Sequence, residues 1–277
     1  MTQVTPSKIA LLDDSVEGIL SGGQKHRLLL LHGNSSCKEV FLPLMNFLSE
    51  FGIATLAIDL PGHGQSADAA DPERSYSFPG YADVVFAVLE EMGWKEAGLF
   101  GWSLGGHIAL ECLARESAPV SITSAFIVGS PPGKPSRTAF EAAFVTNETT
   151  LLAGKQEFSA GDPERYTAAM LDGADRVTPD MLKAAKRTDG RARQCMLNNA
   201  LLGVGADQAK VLEASNARIA LVIGEADPFV RLDYLDKLPT ERLWERKVHT
   251  NPRWGHAPHW QMDDTFKELL PRFYGIA

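Results

Sequence analysis

The sequence predicts an α/β architecture: a mostly parallel sheet flanked by helices, with an inserted helical cap. Three observations carry it. Short apolar runs ending in glycine-rich turns alternate with helix-periodic segments, the pattern of strands covered by helices on both faces. That alternation stops after "GSPPGKPS", Gly129–Ser136, and resumes only at Arg218. Finally, "FGWSLGGH", Phe100–His107, sets a serine in a G-x-S-x-G pattern between an apolar run and a helical stretch.

Taken in order, the strands are expected at Arg27–Leu31, Ile53–Ile58, Ala97–Phe100, Ala125–Val128 and Ile219–Ile223, with a weaker one at Arg246–Thr250 and an antiparallel pair before Gly23. Tyr81, Val84, Val85, Val88, Leu89 and Met92 fall on one helical face, and Phe266, Leu269, Leu270 and Phe273 repeat that spacing near the C-terminus. Both stripes read as core. The segment between Ser136 and Arg218 mixes Ala, Leu, Met and Phe with charges and lacks strand alternation, so it reads as short helices. A structureless loop of that length would be unusual. We therefore expect a core over residues 1–134 and 211–277 and a helical cap over 135–210, covering the sheet edge where open α/β proteins bind ligands.

Composition narrows the partners. Across 277 residues the formal charge is -8, with 44% hydrophobic and 22% charged residues, as in an ordinary globular enzyme. An acidic chain does not suit phosphate tracking, so nucleic acid is not the expected partner and a neutral or small ligand is. No stretch approaches the length of a bilayer span, and "MTQVTPSKIALLDDS" has acids where a secretory leader needs an apolar run. The expectation is a cytoplasmic protein with no membrane partner. Cys37, Cys112 and Cys195 are scattered, with no C-x-x-C pair, and read as small buried hydrophobes.

Within the G-x-S-x-G pattern, Gly101 and Gly105 let a strand and a helix approach across a tight turn, and the helix N-terminus points its amides toward Ser103. A serine nucleophile needs a base and an acid that orients the base. "VIGEADPFV" offers Asp227, in the loop beyond a strand end and preferred to Glu225, and "NPRWGHAPH" offers His256, preferred to His259 at the start of a helix. Leu104 N–H is the first expected oxyanion donor and Asn34 N–H, from "LLLLHGNSSC", the second. The Asn34 side chain is expected either to meet substrate or to serve as a turn residue. "DLPGHGQS", Asp59–Ser66, lacks the G-K-[ST] ending of a phosphate loop and reads as structural, with Asp59 capping a turn. His32 ends a strand, His63 lies in "PGHG", His107 starts a helix, and His26, His249 and His259 have no partner at metal-ligand spacing; no H-x-H-x-D-H cluster is present, so no metal or cofactor is expected.

With strand, elbow, acid and histidine in order, the sequence resembles the α/β-hydrolase superfamily. "HGNSS", "DLPGHGQS", "DPERSYSFPGYAD", "FGWSLGGHIALE", "GSPP", "RTDGRAR", "DPFV", "LWERKVH" and "GHAP" are similar to the metal-independent N-acyl-homoserine lactonases of that fold, over nearly the whole chain. The resemblance implies a Ser103–Asp227–His256 triad, an oxyanion hole of Asn34 and Leu104, and substrate contacts from Asn34, Trp102 and the cap tyrosine Tyr166. It also implies a small lactone substrate. One departure is Asp227, where that family is associated with Glu; Asp is common in the wider superfamily. Gly203–Ala206 and Trp254 also depart, so acyl-chain preference does not carry over. Carboxylesterase activity on other small esters, or a hydrolase-like lactone receptor, would use the same residues. Haloalkane dehalogenases and epoxide hydrolases place Asp where this chain has Ser103.

Overall fold

The computed structural model describes residues 7–13 and 15–276. Eight strands form one sheet: β1 (Ser7–Leu11), β2 (Val16–Ser21), β3 (Arg27–Leu31), β4 (Ala54–Ile58), β5 (Glu96–Trp102), β6 (Ser121–Val128), β7 (Arg218–Gly224) and β8 (Leu243–Asn251). Their order is β1-β2-β4-β3-β5-β6-β7-β8. The antiparallel pair expected before Gly23 is β1 with β2, and β2 is also antiparallel to β4; every later pairing is parallel. The central strands "RLLLL" and "ATLAI" are buried on both faces, which is why they are runs of apolar residues with no alternation.

Twelve helices accompany the sheet among the described residues. They are α1 (Leu42–Ser49), α2 (Pro72–Ser75), α3 (Phe78–Glu91), α4 (Leu104–Leu113), α5 (Arg137–Ala143), α6 (Asp162–Met170), α7 (Pro179–Arg187), α8 (Gly190–Leu201), α9 (Gln208–Ala214), α10 (Leu232–Leu235), α11 (Pro258–Gln261) and α12 (Asp264–Tyr274). Helix α3 starts where Ser77 accepts from Gly80 N–H at 3.1 Å, with Pro79 in the first turn. Tyr81, Val85, Val88 and Leu89 of its expected stripe are buried, and Val84 and Met92 pack at the margin. Helix α12 is capped by Asp263 at one end and by left-handed Gly275 at the other, and all four expected core residues are buried.

Strand β8 begins three residues before its expected start. Glu245 and Arg246 both have positive φ, and the register against β7 shifts between Ile219 and Leu221, so the first half of β8 lacks the alternation that marks a strand. Between β6 and β7 run α5 to α9 and two short 3-10 turns, with no strand of the sheet, as expected for that segment. Helix α9 runs through the anticipated boundary at 210. The segment is tied to the rest of the chain by Asp189 N–H to Gly62 O (2.8 Å), Tyr76 Oη–H to Asp189 (2.7 Å) and Arg187 to Asp68 (2.7 Å).

"DLPGHGQS" is structural in the sense expected. Asp59 accepts from Gln65 N–H at 2.8 Å and Lys38 N–H at 2.7 Å, and pairs with Lys38 Nζ at 2.6 Å; Lys38 and Asp59 are both fully buried. The three cysteines are free and buried, and burial pushes the thiols up, away from reactivity.

Candidate active site

Ser103 sits between the end of β5 and the start of α4 with φ 53° and ψ -116°, a strained conformation for a residue bearing a Cβ. The neighbours make it possible. A Cβ on Gly101 would stand 2.3 Å from Gly105 O, and one on Gly105 would stand 1.9 Å from Leu31 O, so only glycine lets α4 close on β5 and β3. Ser103 N–H donates to Val128 O at 2.8 Å and Ser130 Oγ donates to Ser103 O at 2.7 Å, which fixes the turn from both sides.

His256 and Asp227 come from two loops on the same sheet edge. Their Nδ1 and Oδ2 atoms are 2.7 Å apart and both side chains are buried. The other carboxylate oxygen accepts from Phe229 N–H at 2.8 Å and Val230 N–H at 3.3 Å, so Asp227 is oriented before it meets the imidazole. With Nδ1 carrying the proton toward Asp227, Nε2 is left as an acceptor, and it has no protein partner. Phe229 packs on the ring with centroids 4.6 Å apart. The alternative acid and base are elsewhere: Glu225 is exposed and bound to Thr250, and His259 lies in a box of Phe41, Phe100 and Trp102.

Ser103 and His256 line one cavity of about 910 Å³, including its open mouth. Asn34, Leu104 and Tyr166 share its wall, so five of the six residues expected to act on substrate with Asp227 behind them meet here. The sixth, Trp102, does not. It is fully buried and lines a small adjoining cavity with Asn34 and Tyr166, and its indole N–H donates to His256 O at 2.8 Å, supporting the histidine loop. The loop bearing Asn34 lies against the serine, since a Cβ on Gly33 would be 3.2 Å from Ser103 Cβ. Among the described residues neither Asn34 N–H nor Leu104 N–H donates to a protein acceptor. The Asn34 side chain donates to Ala153 O at 2.8 Å, which binds its loop to the helical segment above. Tyr166 is buried with its ring edge-on to Phe229, and burial raises its phenol so that it stays protonated.

Two contributors were not foreseen. Asp172, just after α6, accepts from His256 N–H (2.6 Å), Ala257 N–H (3.2 Å) and Gln261 Nε2 (2.7 Å), so the helical segment holds the histidine loop by its backbone. No local pattern around Asp172 marks this. His107 reaches the cavity one turn after Ser103, and the i, i+4 spacing from the serine was the available signal. Among the described residues no group of three or more His, Cys, Asp or Glu side chains gathers as a metal site, and no helix is long and apolar enough to cross a membrane.

Comparison with known proteins settles the family. A model described as "Alpha/beta hydrolase family" matches residues 28–269. The chain belongs to the alpha/beta hydrolase family. This hydrolase is also similar to solved structures of the N-acyl homoserine lactonase AidH. A variant of AidH complexed with N-hexanoyl homoserine superposes with a TM-score of 0.89 at 36% identity, covering 97% of this chain and 96% of that one. A pimeloyl-[acyl-carrier protein] methyl ester esterase of Aromatoleum aromaticum is 27% identical over 83% of this chain and 91% of its own length. The match to protein ABHD14A of Danio rerio, 28% identical, spans only 49% of this chain and 48% of that protein.

Proposed function

We propose that this hydrolase opens the lactone ring of N-acyl homoserine lactones through an acyl-enzyme on Ser103, which would silence a bacterial signal. The observation that carries the reading is the site itself: a serine elbow and an Asp227-backed His256 at the base of a largely apolar cavity. The 36% identity to AidH over almost the whole chain supports the choice of substrate.

In this mechanism His256 Nε2 takes the Ser103 proton as Oγ bonds to the ring carbonyl carbon. Negative charge on the carbonyl oxygen is met by Asn34 and Leu104 N–H, whose freedom from protein acceptors suits that role. Asp227 holds the Nδ1–H tautomer and stabilises the imidazolium. The ring C–O bond then breaks, and His256 returns the proton to the departing alkoxide, which stays attached through the homoserine skeleton. Water, deprotonated by the same histidine, releases the acid and restores Ser103. Residues 135–210 act as the cap, with Tyr166 presented to the lactone from above and the apolar wall taking the acyl tail.

A second reading, a carboxylesterase of other small esters, is favoured by the identity to the methyl ester esterase and uses the same steps. The deciding experiment is mass spectrometry of N-acyl homoserine lactones of several chain lengths incubated with the wild type, with EDTA and with Ser103→Ala. Ring opening by the wild type, untouched by EDTA and absent in Ser103→Ala, is the expected result. Opening that persists in Ser103→Ala overturns the serine mechanism, and turnover of aryl esters without any lactone selects the esterase.

A further inference from the structure

From the hydrogen-bonding state of His107 we infer that the cavity selects, among N-acyl homoserine lactones, those whose acyl chain bears a hydroxyl near its amide end over those bearing a ketone there. The inference rests on the lactonase reading and assigns that pocket a polarity.

His107 Nδ1 lies 2.8 Å from Gln208 Oε1, and Gln208 Nε2 lies 3.5 Å from the His107 carbonyl oxygen. Turning the Gln208 amide over would set its oxygen against that carbonyl and its NH2 against Nδ1, so the observed orientation is the one that satisfies both ends. Gln208 is almost fully buried and has little freedom to depart from it. The proton of His107 therefore sits on Nδ1, and Nε2 is a lone-pair acceptor. The ring is stacked on Phe78 with centroids 5.3 Å apart and planes 19° apart, which fixes its direction as well as its tautomer. Burial lowers the imidazole to about 4, against the pull of the Gln208 bond, so it stays neutral in ordinary conditions. Nε2 makes no hydrogen bond to the described residues, while His107 is part of the cavity wall.

Geometry places this acceptor where a substituent can meet it. His107 N–H bonds back to Ser103 O at 3.3 Å, which sets His107 four residues, roughly 6 Å of helical rise, beyond the serine, and both side chains line the same cavity. In an N-acyl homoserine lactone the third acyl carbon stands five bonds from the carbonyl that Ser103 attacks, a comparable reach. A hydroxyl there donates to Nε2. A ketone presents a second acceptor, and a methylene leaves Nε2 unpaired among apolar groups. Accommodating the ketone would need the other tautomer, which Gln208 opposes.

The test compares kcat/KM for three lactones of equal chain length carrying a hydroxyl, a ketone or a methylene at the third acyl carbon. The wild type is expected to favour the hydroxyl over the ketone by roughly three- to tenfold, the worth of one neutral hydrogen bond. His107→Phe should bring that ratio close to one. Gln208→Leu, which frees the tautomer, should narrow it by improving the ketone. Equal wild-type values, or a preference that survives His107→Phe, would overturn the inference while leaving the lactonase reading intact. If none of the three is opened, the lactonase reading falls and this inference with it.

Discussion

His259→Phe should make the protein resist acid. His259 is fully buried, neither ring nitrogen has a hydrogen-bond partner, and its ring lies 4.9 Å from Trp102, 5.4 Å from Phe41 and 5.7 Å from Phe100. Burial lowers its imidazole from 6.5 to about 3, so the folded chain keeps it neutral while the unfolded chain takes up a proton below 6.5. Stability from this group is full above 6.5 and is lost as pH falls toward 3. At pH 5 the difference in protonation costs the wild type about 2 kcal/mol that phenylalanine does not lose. For a chain of 277 residues, an unfolding entropy of about 2.1 cal/mol/K per residue turns this into a Tm difference of roughly 3 to 4 °C. At neutral pH the benefit of removing two unsatisfied nitrogens, about 1 to 3 kcal/mol, is opposed by a similar overpacking cost from the larger ring. The informative quantity is thus the change in the variant-minus-wild-type Tm between pH 7.5 and pH 5, measured by differential scanning calorimetry. Titrating groups that do not interact with His259 are common to both proteins and cancel. A Tm difference that stays constant over that range would refute the reasoning.

Other substitutions probe the site's supports. Asp172→Asn leaves one acceptor oxygen where the carboxylate now serves three donors, so either His256 N–H or both Ala257 N–H and Gln261 Nε2 face an amide NH2; kcat should fall roughly tenfold or more with KM nearly constant in steady-state assays. An unchanged kcat would mean that His256 is held without the helical segment. Gly105→Ala drives a Cβ into the Leu31 carbonyl, and should cost roughly 3 kcal/mol or more by urea unfolding. Gly93→Ala, left-handed but with open space around it, should cost only about 1 kcal/mol in the same measurement.

Much of the fold was legible because its signals are local. Runs such as "RLLLL" and "ATLAI" mark strands buried on both faces, and the helical stripes of α3 and α12 follow from spacing alone. The serine elbow was legible for the same reason, since two glycines, a serine and the flanking strand and helix are contiguous. Legibility failed where a contact joins distant segments. Trp102 was expected from the family resemblance to touch substrate, and nothing local in the sequence shows that its indole donates to His256 O, 154 residues along the chain. The early part of β8 was missed because two left-handed residues interrupt its alternation.

By itself, then, the sequence determined the order of strands and helices, the elbow at Ser103 and a short set of partners, because hydrophobic period and turn chemistry act between near neighbours. Only the tertiary structure decided that Asp227 and not Glu225 faces His256, that Asp172 grips the histidine loop, and that Gln208 fixes the tautomer of His107. Each of these is a hydrogen bond or its absence between residues 29, 84 or 101 positions apart, or, for Glu225, an exposed side chain turned to Thr250. A bond needs its two atoms within about 3 Å in the right direction, a condition that spacing along the chain does not encode and packing of the sheet edge supplies.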